Sequence, residues 1–390
     1  MRVADVRLRK DLARSVRAGH PWIYGDALAP MSATIASGTV VNVLDVDGKF
    51  LARGLYEARS PIAVRVYTLD ADEALDGALV ERRLRSALAA RKGTIDETET
   101  NAFRWLNGEG DLIPGVVVDR YAHVAVVRLD GDAVQALRAD VVRAVEAVGT
   151  PLGITSIYER TRGAKGVLLS GAMPPERVSI NECGVHYWVD VLRGQKTGTF
   201  LDQRENRRAI RPFCTGEDVA NLFSYSGGFS VHAALAGARS VVSVDSAQPA
   251  LDDARAHFTV NGLDKVPHEL ACADAFEWLE RTHKDGRRFG VAIVDPPSFA
   301  PSEKSLGPAL QAYRRLFAGA LSVIMPGGIL AAASCSSHVT HEAFMGVLAD
   351  AGARANRRLR VLEVRGQPAD HPSPPAFPEG RYLKFVIVRA

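Results

Sequence analysis

After about residue 195 five short apolar runs recur, each closed by polar residues: 219–223 (VANLF), 240–245 (SVVSVD), 268–274 (HELACAD), 291–295 (VAIVD) and 327–334 (GGILAAAS). Stretches of helical spacing separate them, which is the alternation of a parallel sheet covered on both faces. The pattern predicts a doubly wound, mostly parallel α/β domain over 193–390. Ligands of such sheets sit beyond the carboxyl ends of the strands, so the residue that ends each strand carries the functional information. From Arg2 to about Asp70, β-rich segments (VVNVLDVDGKFLARGLY, PIAVRVYTL) alternate with Gly, Asp and Ser turns, which predicts a small β-barrel over 1–70. Residues 72–92 place Leu75, Leu79, Leu84 and Leu88 on one helical face with Arg and Lys opposite. Strand-like runs (GVVVDRY, HVAVVRLD, VHYWVDV) and a helix near 132–148 follow, so 71–192 reads as a linker helix and a small α+β domain.

Composition sets the class. With 390 residues, 47% hydrophobic and 24% charged, the chain has the make-up of a folded protein of two or three domains, which excludes disordered and disulfide-scaffold readings. No run of eighteen apolar residues occurs, and the charged start lacks the apolar stretch of a secretory signal, so neither membrane spanning nor export is expected. Cys183, Cys214, Cys272 and Cys335 lie far apart without a C-x-x-C pair, so no metal site is expected and reduced thiols in a cytoplasm fit best. The net charge of +3 is too small to announce nucleic acid by itself. Two basic clusters stand out, one at Arg2, Arg7, Arg9, Lys10, Arg14 and Arg17 and one at Arg204, Arg207, Arg208 and Arg211. Each reads equally well as a solvated face or as a phosphate contact.

The first strand of the C-terminal domain runs into Asn221-Leu222-Phe223-Ser224-Tyr225-Ser226-Gly227-Gly228-Phe229, a glycine turn that lets a ligand approach the backbone. Strand two ends in Asp245, placed to accept ribose hydroxyls, and strand three in Asp274, placed to accept an exocyclic amine. Together these ends describe an adenosine site. The turn lacks the G-x-G-x-x-G spacing that rests a pyrophosphate on a helix N-terminus, which disfavours a nicotinamide dehydrogenase. S-adenosylmethionine carries no phosphate and fits better. Strand four ends in Asp295-Pro296-Pro297-Ser298-Phe299, an acid at the catalytic edge, a backbone fixed by two prolines and an aromatic able to stack on a base turned out of its helix. Strand five ends in Ser334-Cys335-Ser336, a cysteine among polar residues that would neighbour Asp295 if strands four and five pair. Cys183, Cys214 and Cys272 read as small core residues. His338 and His341 receive no role.

On these residues the chain resembles the large-subunit ribosomal RNA cytosine-5 methyltransferases that carry an N-terminal PUA domain. The resemblance spans almost the whole chain: Gly19-His20-Pro21-Trp22-Ile23-Tyr24, Asn107-Gly108-Glu109-Gly110-Asp111, Val118-Asp119-Arg120-Tyr121, 196–206 (KTGTFLDQREN), Asp370-His371-Pro372 and 377–384 (FPEGRYLK). It departs in the loop after Phe299 (APSEKSLGP). The resemblance implies a class I, Rossmann-like methyltransferase domain behind a PUA-like RNA-binding module. It also implies that Asp202, Gln203 and Arg204 line the methionine end of S-adenosylmethionine, with Phe223, Ser224, Tyr225 and Gly227 against it. Asp245 would hold the ribose, Asp274 the adenine amine, and Cys335 would be the nucleophile. From residue type and place rather than from the resemblance, Asp295, in a dry pocket beside the cofactor, is expected to donate to ring nitrogen 3 of the base, and Pro296, Pro297 and Phe299 to contact the substrate. The implied partner is large-subunit ribosomal RNA, with a homodimer as the candidate assembly. Methylation of an exocyclic amine, uracil-5 methylation and a non-catalytic RNA-binding or assembly role are the alternatives. A thiol nucleophile separates the cytosine-5 reading from the first.

Overall fold

Alternating buried positions in short β-branched segments build the first sheet of the chain. The computed structural model describes residues 3–30, 34–161, 165–300 and 302–390; Arg2 of the basic start and Pro301 of the loop after Phe299 lie outside the described residues. They form two compact units, one of 1–181, 189–201 and 369–380, the other of 182–188, 202–368 and 381–390.

The first unit opens with β1 (Ala4–Arg7), α1 (Ala13–Arg17), β2 (Trp22–Tyr24), β3 (Val40–Leu44), β4 (Phe50–Tyr56) and β5 (Ile62–Thr68). They form a mixed sheet ordered β1-β3-β4-β5-β2 over a core of Val6, Ile23, Val41, Val43 and Val64. α2 (Gly77–Arg91) follows, its N-terminus fixed by the Asp76 carboxylate accepting from Leu79 N at 3.0 Å. Next come β6 (Ala102–Asn107), β7 (Val116–Tyr121), β8 (Val124–Leu129), α3 (Arg138–Gly149), β9 (Ser156–Glu159) and β10 (Val167–Gly171), with the strands ordered β10-β9-β8-β7-β6. Leu79, Leu84, Val141 and Val145 of the helices bury Phe103, Trp105 and Val116 of that sheet. Val40, Leu55 and Tyr67 of the first sheet enter the same core, and the Tyr67 hydroxyl donates to Pro114 O at 2.8 Å. The 1–70 and 71–192 segments therefore share one apolar interior.

The motifs of this unit act as ties. Arg91 forks onto Asp111 at 2.8 and 2.6 Å and also donates to Asp370 O at 2.8 Å. The Asp370 carboxylate accepts from Arg104 N at 2.9 Å, and Arg104 pairs with fully buried Asp119 at 2.6 Å. Gly110 is required by crowding, since a Cβ there would lie 1.9 Å from Pro372 O.

The chain passes to the second unit within β11 (Val178–Glu182) and returns to the first within β12 (Val185–Val189). The second unit then contains α4 (Arg204–Ala209), β13 (Asp218–Leu222), α5 (Gly228–Leu235), β14 (Ser240–Asp245), α6 (Gln248–Val260), β15 (His268–Cys272), α7 (Ala275–Lys284) and β16 (Phe289–Val294). After these come α8 (Leu306–Ser322), β17 (Ile324–Ser334), α9 (His341–Arg354), β18 (Arg360–Arg365) and β19 (Lys384–Arg389). The sheet runs β15-β14-β13-β16-β17-β19-β18, parallel up to β17 and antiparallel at β19 and β18. All five expected strands are present, and β16 pairs with β17, so strands four and five are neighbours as expected. The sequence reading did not assign β18 and β19. The strand order reverses at β13, where the loops leaving β13 and β16 diverge and open a crevice for ligands.

Candidate active site

The turn leaving β13 departs from ordinary backbone geometry. Phe223 (φ 57°) and Tyr225 (φ 47°) adopt the left-handed region without being glycine, and Gly227 (φ 76°) does so with no Cβ to resist it. A Cβ on Gly227 would also meet Ala254 Cβ at 2.7 Å. Such conformations cost on the order of 1–3 kcal/mol each and persist where surrounding bonds dictate them. Here the bonds come from β14: Ser224 N donates to Val244 O at 3.0 Å and Tyr225 N to the Asp245 carboxylate at 2.8 Å. The other Asp245 oxygen accepts from Ala247 N at 3.0 Å, so this one side chain shapes two loops at the strand ends. Ser224 is buried, and its hydroxyl has no hydrogen-bond partner among the described residues. An unsatisfied polar atom at this place suits a polar ligand. Asp274 caps α7, one carboxylate oxygen accepting from Phe276 N at 2.8 Å and Glu277 N at 3.1 Å.

The 202–211 segment lies against the start of α5. Tyr382 donates to Asp202 at 2.6 Å, and Gln203 accepts from Asn206 at 2.6 Å. The second basic cluster is not a solvated face. Arg204 is 2% exposed and bonded to Glu205, Arg207 forks onto buried Glu182 at 2.8 and 2.7 Å, and Arg211 donates to His232 Nδ1 and Cys183 O. Of the four, only Arg208 is exposed. A helix of this composition reads as a polar surface by pattern alone, because the carboxylate that neutralises Arg207, Glu182, lies far away in sequence.

Asp295 is half-buried where β16 ends, rather than enclosed; Pro296 is buried and Pro297 exposed. The Phe299 ring leans on Tyr313 of α8 with centroids 4.8 Å apart. Cys335 is half-buried just beyond β17, between two serines that form a hydroxyl brace. Ser334 donates to Tyr313 Oη at 2.9 Å, and Ser336 Oγ lies 3.1 Å from Tyr313 Oη and 2.9 Å from Ser298 Oγ. The loop carrying Pro296 and Pro297 and the segment carrying Cys335 are thereby tied to the same tyrosine. Lys384, 3% exposed, donates to Ser336 O at 2.5 Å and Tyr382 O at 2.8 Å. Burial lowers its ammonium from the ordinary 10.5 to about 8.

Cys183 and Cys214 are buried as expected of core residues, whereas Cys272 is exposed, which corrects its assignment to the core: it closes the sheet's terminal strand, β15. His338 Nδ1 lies 3.3 Å from Ala300 O, and His341 opens α9. Among the described residues no group of three or more His, Cys, Asp or Glu is placed to hold a metal ion. The sequence reading assigned no role to Tyr313 or Lys384. A single cation heading the apolar run KFVIV was the available signal for the second.

A doubly wound sheet, a glycine turn after its first strand, acids at the next two strand ends and no pyrophosphate cradle together define a class I methyltransferase domain. Residues 133–381 match the family described as S-adenosylmethionine-dependent methyltransferase, and residues 6–69 match a PUA-like domain. The chain belongs to the S-adenosylmethionine-dependent methyltransferase family and carries a PUA-like domain at its start. It is 37% identical over 393 residues to "Ribosomal RNA large subunit methyltransferase I" of Alteromonas mediterranea, covering 98% of each chain. The protein of the same name from Klebsiella pneumoniae is 36% identical over 391 residues, covering 98% of this chain and 97% of that one. Among solved structures, a Streptococcus mutans protein described as an S-adenosylmethionine-dependent methyltransferase superposes with a TM-score of 0.87 at 24% identity, over 99% of this chain and 100% of the other, a likeness of fold.

Proposed function

We propose that this protein methylates carbon 5 of a cytosine in large-subunit ribosomal RNA through a transient covalent bond to Cys335. The carrying observation is a half-buried cysteine fixed at the end of β17, one strand from Asp295 and braced to the loop after β16 by Tyr313 and Ser336. The names of the Alteromonas and Klebsiella relatives support ribosomal RNA as the substrate.

The chain's own residues suit S-adenosylmethionine. Asp245 and Asp274 are the ribose and adenine acceptors in this reading, Ser224 offers an unsatisfied hydroxyl beside them, and Phe223, Tyr225 and Gly227 shape the turn. Asp202, Gln203 and Arg204 take the methionine end. When bound, the cofactor supplies an electrophilic methyl group. Cytosine carbon 5 is a poor nucleophile, so the Cys335 thiolate adds to carbon 6 and its electron pair raises the density on carbon 5, which then takes the methyl group. Asp295 donates a proton to ring nitrogen 3 and stabilises the charge arriving there. A base takes the carbon 5 proton and the proton on ring nitrogen 3 returns to Asp295, so that the carbon 5–carbon 6 double bond re-forms, the carbon–sulfur bond breaks and Cys335 leaves as a thiolate.

Pro296, Pro297 and Phe299 would contact the turned-out base, while the PUA-like module and its basic start grip phosphates and shape. The functional division is 1–70 for RNA, 71–192 as linker helix and α+β domain, and 193–390 for methyl transfer. The reducing cytoplasm is the compartment that suits a free nucleophilic thiol; among the described residues no helix is long and apolar enough to cross a membrane.

The experiment is mass spectrometry of nucleosides from large-subunit ribosomal RNA after incubation with the protein and labelled S-adenosylmethionine, for wild type and Cys335→Ala. Labelled 5-methylcytidine with wild type alone is the expected result. Label in an adenine or guanine amine that survives the substitution overturns the covalent mechanism, and label in 5-methyluridine overturns the base.

A further inference from the structure

The second unit buries one lysine where a nucleophile is needed. Lys384 begins β19 directly opposite Ser334 of β17, the residue before Cys335. Its ammonium is removed from water and held by two main-chain carbonyls, Ser336 O at 2.5 Å and Tyr382 O at 2.8 Å. One of these carbonyls belongs to the residue after Cys335, so the cation is tethered to the peptide that carries the thiol. Burying an ammonium is costly and two carbonyl dipoles offset it only in part, so a negative partner is called for. Cys335 lies between Ser334, which faces Lys384 across the sheet, and Ser336, whose carbonyl Lys384 holds, so a thiolate there favours the charged lysine. Attraction of this kind is mutual: a lysine that stays charged favours the thiolate.

We infer that Lys384 is a positioning residue for Cys335, holding the 334–336 segment through the Ser336 carbonyl and favouring the thiolate through its buried charge. The catalytic meaning rests on Cys335 being the nucleophile; the pairing of charge and thiol does not. Ionisation passes the thiol proton to solvent, and no other group is consumed. The thiolate is needed twice, before addition to carbon 6 and again as the leaving group, and one fixed cation serves both moments. Among the described residues, the titratable and charged groups on the elements around this point include Tyr313 from α8, Asp295 past the end of β16, Tyr382 with its partner Asp202, the Arg365–Glu363 pair of β18, and His338 three residues past Cys335. Burial raises the Tyr313 hydroxyl, so it stays neutral and donates rather than competing as an anion. Asp202 is engaged by the Tyr382 hydroxyl and Asp295 carries a proton in the proposed mechanism, which leaves Lys384 as the cation tethered to the thiol segment.

The test is site-resolved alkylation by iodoacetamide between pH 6 and 10, reading Cys335 by peptide mass spectrometry with exposed Cys272 as the internal reference. In the unmodified protein the Cys335 midpoint is expected below that of Cys272. Lys384→Met should raise the Cys335 midpoint by about one pH unit, a roughly tenfold loss of thiolate at neutral pH, with Cys272 unmoved. Lys384→Arg should keep most of the wild-type position. A Cys335 midpoint at or above that of Cys272 in the unmodified protein overturns the inference without any variant. So does an unchanged profile in a Lys384→Met protein that still binds S-adenosylmethionine by calorimetry. Full methylation by Cys335→Ala would remove the nucleophile reading while leaving the alkylation shift to stand or fall by itself.

Discussion

Two non-glycine residues, Phe223 and Tyr225, sit at positive φ in a turn whose backbone is tied to β14. A conformation that is unfavourable residue by residue survives because Asp245 and the Val244 carbonyl fix it from outside, a pattern typical of ligand-binding turns. Asp245→Ala deletes both acceptors, for Tyr225 N and Ala247 N. We expect at least a tenfold loss of S-adenosylmethionine affinity by calorimetry, with about 1–3 kcal/mol lost from stability in urea; unchanged affinity would remove Asp245 from the site. At this scale the sequence shows where strands end, and the structure places Asp245, Asp274, Asp295 and Cys335 at or just beyond those ends. The sequence is silent where a role depends on partners distant along the chain. Arg207 looks like surface until Glu182 is known to lie beside it, and Lys384 looks like the start of a strand until Ser336 is.

Helix α7 shows how one side chain can hold two offices. Asp274 caps the helix through one carboxylate oxygen, and in the proposed function it also receives the adenine amine. Asparagine caps nearly as well as aspartate but carries no charge. Asp274→Ala should therefore cost about 1 kcal/mol of stability as well as affinity. Asp274→Asn should restore the stability while cofactor affinity stays reduced. Equal affinity in Asn and wild-type proteins would leave Asp274 as a cap alone. The brace on α8 makes a second test: Tyr313→Phe removes the hydroxyl shared by Ser334 and Ser336, and should lower kcat while leaving S-adenosylmethionine binding in place. Elements differed in how readily they could be read. β13, β14 and β16 are short and largely buried, so their apolar runs are plain in the sequence. β18 is an edge strand with Val361, Leu362 and Val364 exposed, so its residues follow no inside-outside alternation, and β19 follows a long irregular stretch that gives no warning of a strand.

For the molecule as a whole, the interior shared by 1–70 and 71–192 bears on how RNA binding should be dissected. Removing 1–70 would strip Val40, Leu55 and Tyr67 from a common core, so loss of binding by a truncated chain would report collapse of that unit. Charge reversal is the cleaner test. Arg14 and Arg17 on α1 are exposed, and Arg14→Glu with Arg17→Glu should weaken ribosomal RNA binding and flatten its dependence on salt, with an unchanged melting temperature. Acid should find a weakness in the second unit. Burial pushes His268 from 6.5 down to about 4, and burial with Arg211 beside it holds His232 neutral as well. The unfolded chain thus binds protons that the folded one refuses, so stability falls as pH drops from about 6.5 toward 4. Urea midpoints at pH 7 and 5 check this, and His268→Gln should narrow the gap. The placement of β19 reaches beyond equilibrium. It is inserted between β17 and β18 and carries Lys384, so a growing polypeptide emerging from the ribosome has neither a continuous sheet nor the cation beside Cys335 until residues 384–389 are free. The parallel strands β13 to β17 can pair before β19 is made, whereas the link from β17 to β18 and the Lys384 contact with Ser336 O both wait for it.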